Sequence, residues 1–324
     1  MAPPDSAPAY PAFQCGPRVY TLDDILEAAQ NLGELAGFHV AWLVRQAAVQ
    51  KAEAADLSPD SAAVEAATEA FRYARDLVSA EECERWLGAR GLAFEELADC
   101  VTRRLQSALA ETAAPFDPTA DDEQLFRRDA LLADEFTGWA RHLARRVAVA
   151  AESGRPLAGD SSLTAQWPEL EAGFAAAAAA LLTQANRQRA LAGQRLTLMR
   201  ITFDLAEFDS ENAAREAILC SREDGTALRD VAASNAFVCQ TSESFLGDLP
   251  AGWFDPLTSA RVGEALSPRA GEGGNVVLSV ISRREPSLED SAVCQRVDEA
   301  LIEQRLRELE SRHIRWLINV ELTS

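Results

Sequence analysis

The chain has 324 residues, 48% hydrophobic and 25% charged, and its 31 Lys and Arg against 51 Asp and Glu give a formal net charge of −20. That length suits two or three domains with sizeable cores. So large a negative charge repels phosphate backbones and argues against nucleic acid as a partner. Nor does any apolar run reach the ~20 residues that cross a bilayer, the longest, Phe174 to Leu182, being mostly alanine.

Residues 1–20 carry Pro3, Pro4, Pro8, Pro11 and Pro17 and read as an extended, poorly ordered arm. They offer neither the basic start nor the apolar core of a secretory signal, so a cytoplasmic location is expected. A helical region is expected over 21–112. Thr21 with Asp23 and Asp24 predicts a helix start, and Ser58-Pro59-Asp60 predicts another, with the serine as cap and the proline at the first helical position. Ser79 and Glu82 make a capping box ahead of Trp86 and Leu87. Phe94, Leu97, Val101 and Leu105 then form the inner stripe of the next helix.

Residues 113–195 read as a helical insertion. Pro115 and Pro118 break the pattern before a helical block over Asp121 to Glu152, and a further helix is predicted over Glu169 to Arg189. At Leu196 the period changes to two. Met199, Ile201, Phe203 and Leu205 share one face of a strand, Arg200, Thr202 and Asp204 the other. Ser210 caps a helix, Asn275 to Ile281 is a second strand, and Gly271 to Gly274 forms a hairpin. A long charged helix is predicted over Val293 to Ile318, within a final segment 287–324. The fold class is therefore α+β, an all-α helical module plus a sheet domain over 196–286.

The sheet domain resembles the parvulin-type (PpiC, rotamase) peptidyl-prolyl isomerases. The residues that carry the resemblance are Met199-Arg-Ile-Thr-Phe203, Leu228 to Ser234, Phe245-Leu-Gly-Asp-Leu249, Val262-Gly-Glu-Ala-Leu-Ser-Pro268 and Gly273-Gly-Asn-Val-Val-Leu278. The helical module, through Val78 to Leu87 and Gly91 to Glu96, resembles that of SurA-like foldases, in which the final helix returns to the N-terminal one. Similar chains occur as maturation proteins for modified peptides and for the nitrogenase iron protein.

The resemblance implies a pair of histidines, one in the first strand and one in the last, side by side beneath a bound proline. Those positions read Arg200 and Asn275 here. Rotation about an X–Pro bond meets a barrier of about 18–20 kcal/mol, and a catalyst must bind the twisted amide better than the planar one. A permanently charged guanidinium and a non-titrating amide do not reproduce an imidazole pair. Isomerase activity is expected to be lost or weakened, with no catalytic residue assigned, and Cys239 is expected to be a small buried thiol.

A peptide groove remains as an expectation, built from Arg200, Cys239, Leu246, Trp253, Phe254, Leu257 and Asn275. Arg200 either meets a peptide carbonyl or carboxylate or pairs with Asp204 or Asp248. Trp253 and Phe254 serve as core or as ligand contacts, and Asn275 contacts the ligand or caps its strand. No metal or cofactor is expected, because the six cysteines form no Cys-x-x-Cys pair and phosphate-loop and zinc-protease motifs are missing. His142, Arg145 and Arg146 form a basic face or pair locally, and His39 reads as a core histidine. Three functions follow: a non-catalytic chaperone holding a peptide or unfolded client, an active isomerase, or an assembly subunit that docks maturation enzymes or forms a homodimer.

Overall fold

The computed structural model describes residues 10–110, 120–155, 157, 162–271 and 274–318. The chain divides into two compact units, one of Met1–Ala178 with Gln304–Ser324 and one of Ala179–Glu303.

The first unit opens with a hairpin of β1 (Pro11–Cys15) and β2 (Arg18–Thr21). Phe13 pairs with Tyr20 across it, and the two buried rings stack at 4.7 Å. The expected poorly ordered arm thus gives way from Pro11 onward, and residues 1–9 lie outside the described residues. Proline does not prevent the hairpin. Pro11 stands at the first position of its strand, where a missing N–H is tolerated, and Pro17 follows Gly16 in the turn.

Helix α1 (Leu22–Asn31) starts at the expected Thr21, whose hydroxyl accepts from the Asp24 amide while the Asp24 carboxylate accepts from the Thr21 amide. After α2 (Glu34–Ala54) comes α3 (Ser61–Tyr73), capped by Asp60 and not by Ser58, because Asp60 accepts from the Ala62 amide. Helix α4 (Ala80–Gly88) has the Ser79–Glu82 capping box, and α5 (Phe94–Ser107) buries Leu97 and Val101. The breaks expected at Pro115 and Pro118 lie outside the described residues. The block 121–152 is two helices, α6 (Ala120–Leu131) and α7 (Phe136–Glu152). Their inner faces, with α1, α5 and the hairpin, close one core containing Leu22, Ile25, Leu97, Leu132, Phe136 and Leu143. Helix α8 (Leu163–Leu181) adds Leu163, Trp167 and Leu170 to it.

The predicted helix Glu169–Arg189 breaks at Thr183, whose hydroxyl caps α9 (Gln184–Gly193) by accepting from the Asn186 amide. The second unit continues with β3 (Arg200–Phe208), α10 (Glu211–Asp224), α11 (Leu228–Ser234), β4 (Cys239–Phe245), α12 (Ala251–Ser259), β5 (Arg269–Gly271) and β6 (Gly274–Arg284). Its antiparallel sheet has the order β4-β3-β6-β5. The expected hairpin joins β5 to β6 through the pair Gly271 and Gly274, with 272 and 273 outside the described residues. Gly274 has φ +149°, and a Cβ there would lie 2.5 Å from the Phe208 carbonyl oxygen, so no larger residue fits without a shift.

Helix α13 (Ser291–His313) belongs to both units, its residues from Gln304 onward to the first. Within the second unit, Val293 and Val297 pack with Leu198 and Phe245, and Arg187 of α9 forms two 2.7 Å hydrogen bonds with Asp298. The unit therefore extends beyond 196–286 at both ends. The predicted helix to Ile318 stops at His313, and β7 (Ile314–Trp316) pairs with β1, giving a three-stranded sheet β2-β1-β7. Trp316 sets its ring edge-on to Phe13 at 5.3 Å. The architecture is α+β, with the C-terminal segment returning to the helical module. Among the described residues, no helix is long and apolar enough to cross a membrane.

Candidate functional site

Alternation along β3 gives the four-stranded sheet two different faces. On one, Ala206, Phe208 and Val277 are buried under Ala214, Ala217 and Ile218 of α10 and Leu228 and Val231 of α11. Asp204, on this side, is buried and fully engaged. It accepts from Arg229 Nη2 at 2.7 Å, from Arg229 Nε at 3.3 Å and from the Thr241 hydroxyl at 2.6 Å. The hydrogen bond to Asp204 holds the Arg229 guanidinium above its ordinary pKa.

On the other face lie Ile201 and Phe203, with Leu278 and Val280 beside them on β6. Its cover is thinner: α12, the turn Leu246–Asp248 and the segment to Leu266. Leu246, Leu257 and Ile201 are completely enclosed, but Leu205, Leu249, Trp253, Phe254 and Val276 are only half-buried. Arg283 Nη2 donates to the carbonyls of Leu257 and Ala260, both at 2.5 Å, and so ties the end of α12 to the sheet. The Arg269 guanidinium stands 5.0 Å from the Trp253 ring centroid, a cation over an aromatic face. The result is a partly open apolar patch with one positive group at its margin.

Of the seven residues expected to form a groove, the structure gathers four on this face. Leu246 and Leu257 are closed core, whereas Trp253 and Phe254 keep accessible surface. The other three are elsewhere. Arg200 is opposite Arg284 at one end of the β3–β6 pair, and Asn275 is opposite Phe208 at the other. Eight residues of β3 separate those positions, about 27 Å at ~3.4 Å per residue. They are not side by side. The cause is strand direction: in an antiparallel pair the start of one strand meets the end of its partner, and Arg200 opens β3 while Asn275 stands second in β6.

Arg200 pairs with neither Asp204 nor Asp248. Its guanidinium reaches Asp290 at 3.3 Å and Glu243 at 3.7 Å and lies 4.7 Å from the Phe245 ring centroid. Asp248 instead holds Arg296 through hydrogen bonds of 2.6 and 2.7 Å. Cys239 packs beside Ala206 and Phe208 on the helix-covered face, so it does not join the patch. Burial, then Asp204, pushes its thiol pKa up, away from the thiolate form.

Leu205, Leu249, Val276 and Arg269 complete the patch without having been counted among the expected groove residues. The parity of Leu205 with Ile201 and Phe203 was the available signal for the first. Val276 carries the same signal on β6, since it alternates with Leu278 and Val280. In the helical unit His142, Arg145 and Arg146 meet Glu34, Glu310 and Glu171, so the basic face is locally paired. His39 is not a core residue: it is exposed, its ring edge-on to Phe126 at 4.9 Å.

No protein-family model matches the chain, and no curated protein matches it. Solved structures do. A peptidylprolyl isomerase (PrsA) from Bacillus anthracis is 12% identical over 56% of this chain and 87% of that one, with a TM-score of 0.25. The foldase protein PrsA from Streptococcus pneumoniae is 10% identical over 97% and 95%, with a TM-score of 0.28. A structure from the work on PEB4 and Cj1289 of Campylobacter jejuni, described as two SurA-like chaperones, is 10% identical over 95% and 98%, with a TM-score of 0.21. At such scores these likenesses carry no weight for function, which is argued below from the chain's own residues.

Proposed function

We propose that the sheet unit holds an extended segment of a peptide or unfolded protein client, as a chaperone or accessory in that client's maturation, without isomerising it. The observation that carries this reading is the half-buried patch of Leu205, Leu249, Trp253, Phe254 and Val276 with Arg269 at its edge. Broad aromatic side chains that keep part of their surface in water gain by covering it with an apolar client residue. Arg269 is placed to meet a client carbonyl.

Three facts support binding without catalysis. The unit Ala179–Glu303 contains no histidine, since the three in the chain are His39, His142 and His313. Arg200 and Asn275 sit at opposite ends of the sheet. Cys239 is on the far, helix-covered face, where burial pushes its thiol pKa up. The net charge of −20 favours neutral or basic clients, with salt weakening the steering. Six cysteines without a disulfide fit a reducing cytoplasm.

Fluorescence anisotropy of a labelled, permanently unfolded protein measures client binding, and a proline tetrapeptide assay measures isomerisation. The expected result is binding that falls by about tenfold or more in Trp253→Ala/Phe254→Ala, with no isomerisation above background. A rate above background that disappears in Cys239→Ala or Asn275→Ala would establish the active isomerase instead.

A further inference from the structure

The four-stranded sheet has two edges, β4 and β5, both inside the unit Ala179–Glu303. They are unequal. β5 has three residues, whereas β4 runs from Cys239 to Phe245 and pairs with β3 at every position without a bulge. Two main-chain bonds beside that ladder fix its phase. The Glu207 amide donates to the Val238 carbonyl at 3.2 Å, and the Leu246 amide donates to the Met199 carbonyl at 2.9 Å. Antiparallel pairing alternates, so Gln240, Ser242 and Ser244 turn their backbone groups to β3, while Cys239, Thr241 and Glu243 turn theirs to the free edge. Among the described residues, no backbone bond takes up the amides or carbonyls of those three.

The edge is held in shape and left unguarded. The Thr241 hydroxyl donates to Asp204 at 2.6 Å and so fixes the middle of the strand. Sheet edges are ordinarily blunted by lysine, proline, a bulge, a bare charge or a covering segment. β4 contains no lysine, proline or bulge, and Gln240 to Glu243 are exposed. Its one charge, Glu243, is met by Arg284 at 2.8 Å and by Arg200 at 3.7 Å. Residues directly opposite share a face, so Gln240 stands beside Leu205 of the apolar patch and Ser242 beside Phe203. A strand laid against β4 borders the face that the proposed function uses.

We infer that β4 receives the client as an added strand, main chain to main chain, an inference that rests on the client being an extended segment. The occupant is a client and not a second copy of this chain. Gln240, Thr241, Ser242 and Ser244 offer little of the apolar area that an obligate homodimer buries, and two copies at net −20 repel each other. The unit carries 19 Asp and Glu against 12 Arg, which suits a neutral or basic strand. Contacts made by N–H and C=O groups read little of the client's side chains but require its amides. The edge therefore rejects proline wherever a client residue faces β4.

The test uses the full chain and three probes: Ac-Lys-Val-Thr-Val-Thr-Val-Lys-NH2, the same peptide N-methylated at its third and fifth residues, and the same peptide N-methylated at its third and fourth. Alternate methylation blocks one edge of the peptide strand and spares the other, whereas adjacent methylation, with as many methyl groups, blocks both. The alternate peptide is expected to bind within about twofold of the parent and the adjacent one about tenfold or more weakly. Amide hydrogen exchange at Thr241 and Glu243 is expected to slow in the complex, with Ser242, already bonded to β3, unchanged. A parent peptide that does not bind overturns the inference, as do equal affinities for the two methylated peptides or unslowed exchange at Thr241 and Glu243. Protection of those amides that rises with protein concentration in the absence of peptide overturns it in favour of a second copy. None of these results touches capture of the unfolded protein, on which the proposed function stands. Trp253→Ala/Phe254→Ala separates the two from the other side: it weakens that capture but leaves the ratio between the methylated peptides unchanged. Undiminished capture in that variant beside an intact ratio defeats the function reading alone.

Discussion

The two sheets of this protein differ in what they leave open. The β2-β1-β7 sheet draws strands from segments three hundred residues apart, and it is sealed by Phe13, which stacks on Tyr20 and meets Trp316 edge-on. The β4-β3-β6-β5 sheet is sealed on the side of α10 and α11 and only partly covered on the side of α12. The sealed sheet is scaffold, and the half-covered face is where the chain has apolar surface left to offer. That contrast also explains why burial separates Leu257 from Trp253, four residues earlier on the same helix.

Substitution at the sealed sheet should cost the most. Phe13→Ala empties a fully buried site packed against two aromatic rings and is expected to lower stability by about 3–5 kcal/mol, read from urea unfolding of the whole chain. Leu257→Ala, beneath the open face, is expected to cost about 2–4 kcal/mol by the same measurement. Trp253→Ala inverts the balance, with about 1 kcal/mol or less in stability but a loss of client affinity near tenfold. A stability loss there as large as that of Leu257→Ala would mean the patch is core and would remove the contrast. Smaller still, Arg200→Ala and Asn275→Ala should each change client affinity by less than about twofold in the same binding assay, because both lie off the open face.

The least effect concerns the carboxylate that secures the return of the chain to the first sheet. Glu152 accepts from His313 at 2.8 Å, from Arg305 at 2.9 Å and from Arg312 at 3.0 Å, and these hydrogen bonds, that from His313 foremost, hold its carboxyl down to about 2. A pKa lowered in the folded state stabilises at pH above the ordinary carboxylate range, and the gain is lost as pH falls from there toward 2. Glu152→Gln should therefore lower Tm slightly near neutral pH, with the difference from the unaltered chain closing on acidification, as followed by circular dichroism at a series of pH values.

Features governed by short-range rules were open to sequence reasoning. The N-cap at Thr21 and the capping box at Ser79 need only four residues each, and the alternation of Ile201, Phe203 and Leu205 needs only a period of two. Pairing between distant segments was not open in the same way. A three-residue strand such as Ile314-Arg-Trp316 has no period to detect, so it read as more helix, and the proline-rich start concealed its partner. The site failed for a related reason. Motif order suggested that Arg200 and Asn275 meet, but strand direction decides who faces whom, and two residues near the starts of their strands are kept apart by antiparallel pairing. Trp253 and Phe254 were legible as apolar residues near a pocket. Their partial exposure depends on the shortness of α12 and on the Arg283 tether, which joins residues 23 and 26 positions apart.

The pairing of β1 with β7 makes one sheet depend on both ends of the chain. Residues 179–303 hold every strand of the four-stranded sheet. The helical unit has to wait for Ile314–Trp316 to arrive, with Phe13 lacking one of its ring neighbours until then. A chain cut short of residue 314 would thus keep all four strands of one sheet and lose one of the three strands of the other.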